Sequence, residues 1–84
     1  MVMEKTHKIT LHNDETNSFE YVIACLIRFC KHDPIQAEQC AMIVHNNENC
    51  DIKSGCYAEM ETVKESLEEM GLVVSMDSYE SNLY

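Results

Sequence analysis

Leu11-His12-Asn13-Asp14-Glu15-Thr16-Asn17-Ser18-Phe19-Glu20-Tyr21-Val22 carries the change of period that decides the fold. Just before and into it, residues 8–12 alternate polar and apolar, with Ile9 and Leu11 on one side, as in a half-buried strand. Beyond it, Phe19, Val22, Ile23, Leu26, Phe29 and Cys30 recur at three- and four-residue steps, which is one face of an amphipathic helix. Residues 13–17 between them form a polar loop, and Asn17 followed by Glu20 fits an N-cap with its reciprocal acid. About thirty residues further on, a second helical pattern ends in Val44-His45. An Asn-Asp pair in a strand-to-helix loop and a His at a helix end can together hold a small cation beside an apolar hollow. That pairing suggests recognition of a peptide's free N-terminus rather than chemistry on it.

The remaining elements follow from caps and periods. Lys31 and His32 are expected in the last turn of the first helix, where cations complement its dipole. Asp33-Pro34 restarts a helix, with an acid at the cap and Pro at the first helical position. Ala37, Cys40, Ala41 and Val44 make its apolar stripe, and Asn46-Asn47 offers a left-handed stop. Cys50 and Ile52 alternate with polar residues until Gly55, as a second strand. Met60, Val63, Leu67 and Met70 predict a third helix from about Ala58, capped at Gly71. Leu72-Val73-Val74-Ser75-Met76 predicts a last strand. The expected fold is α+β, in the order β-α-α-β-α-β, with a three-stranded, mainly antiparallel sheet covered on one face by three helices. Residues 1–7 are expected as a short flexible start, 8–76 as the domain and 77–84 as a polar tail.

Composition narrows the function. A chain of 84 residues holds one small core and no enzyme-sized cleft with its own lid. Fifteen acidic against six basic residues give a net charge of −9, and with no basic cluster a nucleic-acid backbone is repelled. Cationic partners are favoured instead. Five cysteines form an odd set without CxxC spacing, and no secretory signal precedes them, which fits a reducing cytoplasm. No run is long enough to span a bilayer. Cys30 with His32, or Cys40 with His45, lacks the doubled close pairs of structural zinc, so no metal or other cofactor is expected. No nucleophile elbow, phosphate loop or paired-carboxylate signature appears, so no enzyme is expected either.

The element order, the Lys8-Ile9-Thr10-Leu11-His12-Asn13-Asp14-Glu15 segment, the Phe19-Glu20-Tyr21-Val22 helix start and the Ala41-Met42-Ile43-Val44-His45 helix end resemble the ClpS family. These proteins are adaptors of the bacterial Clp AAA+ protease that read N-degrons. The resemblance covers about residues 8–76. It implies that Asn13 and His45, aided by the charges of Asp14 and Glu15, hold the free α-amino group of a substrate. It further implies that His12, Asn17, Phe19, Val22, Ala41, Val44 and Leu72 wall a pocket for a large apolar first side chain. The partners it implies are substrates beginning with Phe, Tyr, Trp or Leu and the N-terminal domain of a Clp unfoldase. Glu59, Glu61 and Lys64 are the docking candidates for the unfoldase.

The chain departs from the family pattern at several of these positions. The family usually has an aliphatic residue at His12, Thr at Asn17 and Met at both Phe19 and Ala41. One wall residue is therefore larger and the facing one smaller. The Gly that usually follows the His is absent, the segment 46–49 is longer, the third helix is shorter, and little precedes the first strand. A second reading is therefore a ClpS-like interaction domain with altered or lost N-degron specificity, acting as a regulator of a Clp or other partner.

Overall fold

The alternation at residues 8–12 belongs to a longer strand. The computed structural model describes residues 3–82, in the order β1 (Met3–His12), α1 (Phe19–Cys30), α2 (Pro34–Asn47), β2 (Asn49–Gly55), α3 (Tyr57–Glu69) and β3 (Val73–Asn82). One sheet of order β2-β1-β3 places β1 in the middle, and both pairings are antiparallel. This is the expected α+β order.

Ile9 and Leu11 point from β1 into the core and are fully buried. Leu26 of α1, Val44 of α2, and Met60 and Leu67 of α3 pack with them, so the helices cover one face of the sheet. The opposite face is polar. Thr10 donates to Asp51 (2.9 Å), Lys8 pairs with the same carboxylate (3.3 Å), and the His12 ring meets Ser75 Oγ (2.7 Å). Opposite Ile9 and Thr10 the register shifts: Ile9 pairs with Lys53 and Thr10 with Asp51, so Ile52 is the extra residue of a β-bulge. Ile52 is buried, and its carbonyl accepts from Nε2 of the buried His32 (2.7 Å). That bond ties the α1–α2 connection to β2.

Both long strands exceed the expected boundaries. The β1–β3 pairing runs from Met3↔Asn82 to His12↔Val73, through the segments read as a flexible start and a polar tail. Backbone pairing extends that ribbon past the stretch of clear apolar alternation in the sequence, so the alternation does not report its length. Met1, Val2, Leu83 and Tyr84, which the sequence reading placed in those tails, lie outside the described residues.

Two caps also differ. Ser18, not Asn17, caps α1, accepting from the Tyr21 N–H (3.1 Å). α2 keeps its expected Asp33 cap and leading Pro34 but continues through Asn46 and Asn47. The left-handed residue that ends it is Glu48 (φ 74°). At the end of α3, Gly71 takes the left-handed conformation expected of it (φ 86°), which favours glycine.

Candidate functional site

The loop after β1 and the end of α2 are brought together by the backbone. β1 and β2 pair through His12↔Asn49, and one step beyond that pair the Asn13 N–H donates to the Glu48 carbonyl (2.8 Å). Glu48's left-handed turn sends the chain from α2 straight into β2. Asn13 and His45 therefore arrive at the same place although 32 residues separate them in sequence.

Between them opens a cavity of about 370 Å³. Leu11, Phe19, Val22, Ala41 and Val44 supply apolar lining, and Asn13, Asp14, Glu15, Asn17 and His45 supply polar lining. Leu11, Ala41 and Val44 are buried, Phe19 and Val22 half-buried, and Asn13, Glu15 and His45 exposed. The floor is thus core and the rim is wet. His45 stands in the last turn of α2, where the helix dipole adds negative character to a rim already bearing carboxylates.

Asp14 organises the loop. One carboxylate oxygen accepts from the Thr16 and Asn17 backbone N–H groups (2.8 and 2.9 Å), and the other accepts from the Asn17 side chain (3.0 Å). Partial burial pushes its pKa up, but the bonds from the Asn17 backbone and side chain and the Thr16 backbone outweigh it. The carboxyl is held below its ordinary value. Asn17 also donates to the Gly71 carbonyl (2.9 Å), and the Tyr21 hydroxyl donates to the Met70 carbonyl (2.6 Å). The loop and the start of α1 are thereby pinned to the turn after α3.

Two of the expected wall residues sit differently. Leu72 is buried in the core cluster and does not line the cavity. It lies at the start of the last extended segment, where it packs inward as any apolar residue of a sheet margin does. His12 borders the cavity at the strand end, but its ring is bonded to Ser75 on the polar face of the sheet. Strand alternation requires this, because Ile9 and Leu11 take the helix side. Leu11 is the lining residue that the sequence reading missed. The same alternation carried the signal, since Leu11 is the last inward residue before Asn13.

Glu59, Glu61 and Lys64 lie on α3, outside the cavity lining. Glu59 is exposed and stands 4.0 Å from the Lys53 ammonium, while Lys64 pairs with Glu68 at 3.0 Å. The carboxylate of Glu61 hydrogen-bonds the Tyr57 hydroxyl and raises its pKa. Among the described residues, no group of three or more His, Cys, Asp or Glu side chains is arranged to hold a metal ion. Nor, among the same residues, is any helix long and apolar enough to cross a membrane.

A small α+β domain with a polar-rimmed hollow opening off its core has the form of a binding module. The sequence matches the family described as ATP-dependent Clp protease adaptor protein ClpS over residues 3–75, and the chain belongs to that family of adaptors, which are not enzymes. No curated protein matches it in sequence. The structure of Agrobacterium tumefaciens ClpS2 bound to L-phenylalaninamide is similar in fold, with a TM-score of 0.85 at 17% identity, over 89% of this chain and 98% of that one.

Proposed function

We propose that this adaptor captures proteins by a free N-terminus followed by a large apolar first side chain, and hands them to a Clp unfoldase. The observation that carries the reading is the single cavity shared by Asn13, Glu15 and His45 on its rim and Phe19, Val22, Ala41 and Val44 on its walls. An α-amino group has a pKa of about 7.7–8.0 and is mostly charged at neutral pH. The Asn13 carboxamide oxygen accepts one of its N–H bonds, and a neutral His45 nitrogen accepts another, directly or through water. Glu15 and Asp14 contribute negative potential. The ligand of the similar ClpS2, an amino-acid amide with a free amine and a benzyl group, has the chemistry that such a cavity selects.

The energetics are consistent with a scanning adaptor. Charge-assisted hydrogen bonds contribute about 1.5–3 kcal/mol each, and burying one large apolar side chain contributes a similar amount. After association costs this gives a dissociation constant on the order of micromolar. The unfoldase contact belongs on the outward side of α3, at Glu59, Glu61 and Lys64, away from the cavity mouth. Five free thiols suit a cytoplasmic setting.

Fluorescence titration of a Phe-led peptide with a free or an acetylated amine tests the reading. Acetylation removes charge and donors together and is expected to abolish binding. His45→Ala is expected to weaken the free peptide by about tenfold or more with an unchanged melting curve. Equal binding of the acetylated peptide refutes amine recognition and favours the second reading, an interaction domain of other specificity. A panel of first residues then reports the shape set by Phe19 against Ala41.

A further inference from the structure

Beside the His45 rim of the cavity, α2 carries further exposed apolar side chains. One turn back along α2, on the same side of the helix, stands Met42, followed by Glu38 and Ile35. At about 100° per residue these four fall in a strip about 80° wide. Ile35 is 72% exposed and Met42 49% exposed. Two shallow grooves border the strip, one lined by Pro34, Ile35 and Gln39 among others, the next by Gln39, Met42 and Ile43 with Glu38. α2 is therefore apolar on two sides. Its Ala37, Ala41 and Val44 serve core and cavity, while Ile35, Met42 and Ile43 face outward, where a surface helix ordinarily turns polar residues.

The geometry points to this strip as the bed for the residues that follow the captured N-terminus, with apolar side chains of the second to about fifth residue seated in its two grooves. The inference rests on the N-terminus reading above. A first residue whose amine is held at the rim must send its chain outward over that rim. The flank toward α3 is tied shut by Asn17 on Gly71 and Tyr21 on Met70. On the loop side, Asp14 already accepts three hydrogen bonds from its own loop. The α2 side offers exposed apolar side chains beginning at Met42, which directly follows the cavity residue Ala41 and lies one turn from His45 of the rim. Its length fits: ten residues of helix from His45 to Ile35 rise about 15 Å, which an extended chain covers in four to five residues. A second copy of this chain is the poorer occupant, because each copy carries a net charge of −9 and the strip itself contains Glu38.

The test compares phenylalaninamide with two Phe-led decapeptides, one carrying Leu at its third and fifth positions and one carrying Ser there. Each is titrated against the wild-type chain and against Ile35→Ser/Met42→Ser. The Leu decapeptide is expected to bind wild type about five- to tenfold tighter than the Ser decapeptide. The double variant is expected to erase that difference and leave phenylalaninamide affinity unchanged. A Leu–Ser difference absent from wild type, or one that survives in the variant, overturns the inference while the cavity reading stands. It is equally overturned if sedimentation shows a wild-type dimer that the double variant dissociates while both peptides bind as before. If phenylalaninamide and both decapeptides fail to bind wild type, the N-terminus reading itself falls, and this inference with it.

Discussion

At the scale of single residues, the site divides into groups free to meet a ligand and groups engaged in holding those in place. Asn13, Glu15 and His45 are exposed at the rim, whereas Asp14 and Asn17 are bonded within the loop and to Gly71. Asp14 therefore acts on a ligand mainly through its charge and through the loop it shapes. Asp14→Ala removes the acceptors of two backbone N–H groups and is expected to destabilise the domain by about 1–2 kcal/mol. It is also expected to weaken a Phe-led peptide several-fold, while Asp14→Asn, which keeps one acceptor oxygen, recovers most of the stability. Chemical denaturation and peptide titration read the two effects separately, and an Asp14→Ala variant as stable as wild type contradicts the organising role. Asn13, Asp14 and His45 were legible because their residue types break an apolar pattern at element ends. The turn of the His12 ring to the polar face was legible as well, in the alternation that buries Ile9 and Leu11, but the resemblance overrode it. The burial of Leu72 was not, because it lies outside the periodic pattern of β3 and packs where the turn after α3 seats it.

Elements bring the two halves of the site together, and the joint between them is a residue that a sequence reading passes over. Glu48 ends α2 in a left-handed conformation (φ 74°), and its carbonyl receives the Asn13 N–H. A non-glycine residue in that region is strained by about 1–2 kcal/mol. Glycine removes the strain but adds about 0.5–1 kcal/mol of unfolded-state entropy to be lost on folding. Glu48→Gly is thus expected to stabilise the domain by a few tenths to about 1 kcal/mol, raising Tm by a few degrees. Peptide affinity is expected to stay at the wild-type value, because the bond to Asn13 uses only backbone. A lower Tm in calorimetry sinks this account of the joint. Helix periods, the Asp33-Pro34 start and the Gly71 stop were all readable in the sequence because local sterics decide them. The stop at Glu48 was not, since glutamate has no preference for the left-handed region, and strand pairing at His12↔Asn49 imposes it. The ends of β1 and β3 escaped for the related reason that pairing between segments distant in sequence extends them.

For the whole molecule, charge sets two opposing trends with pH. The net charge of −9 at neutral pH repels itself and falls toward zero near the isoelectric point of about 4.6, so acidification at first relieves repulsion. Asp14 and Asp51 work against further acidification. The hydrogen bond from Thr10 is the main influence holding the Asp51 carboxyl low, with burial opposing it and Lys8 assisting, and the loop bonds hold Asp14 low. A carboxyl whose folded pKa lies below its unfolded value contributes its full stability above the unfolded value. As pH falls through the interval between the two, the unfolded chain binds more protons and that stability is lost. Tm is therefore expected to rise from about pH 7.5 to about pH 5 and to fall below about pH 4. Salt distinguishes the two terms, because it screens repulsion between exposed charges but leaves short hydrogen bonds nearly untouched. Adding roughly 0.3 M sodium chloride is expected to raise Tm at pH 7.5 and to flatten the rise toward pH 5, with little change in where the acid limb begins. Asp51→Asn, which keeps an oxygen for Thr10 but cannot titrate, is expected to make the acid limb shallower. A Tm that declines steadily from neutral to acid pH, or an acid limb identical in Asp51→Asn, rules out this division between screened repulsion and hydrogen-bonded carboxylates.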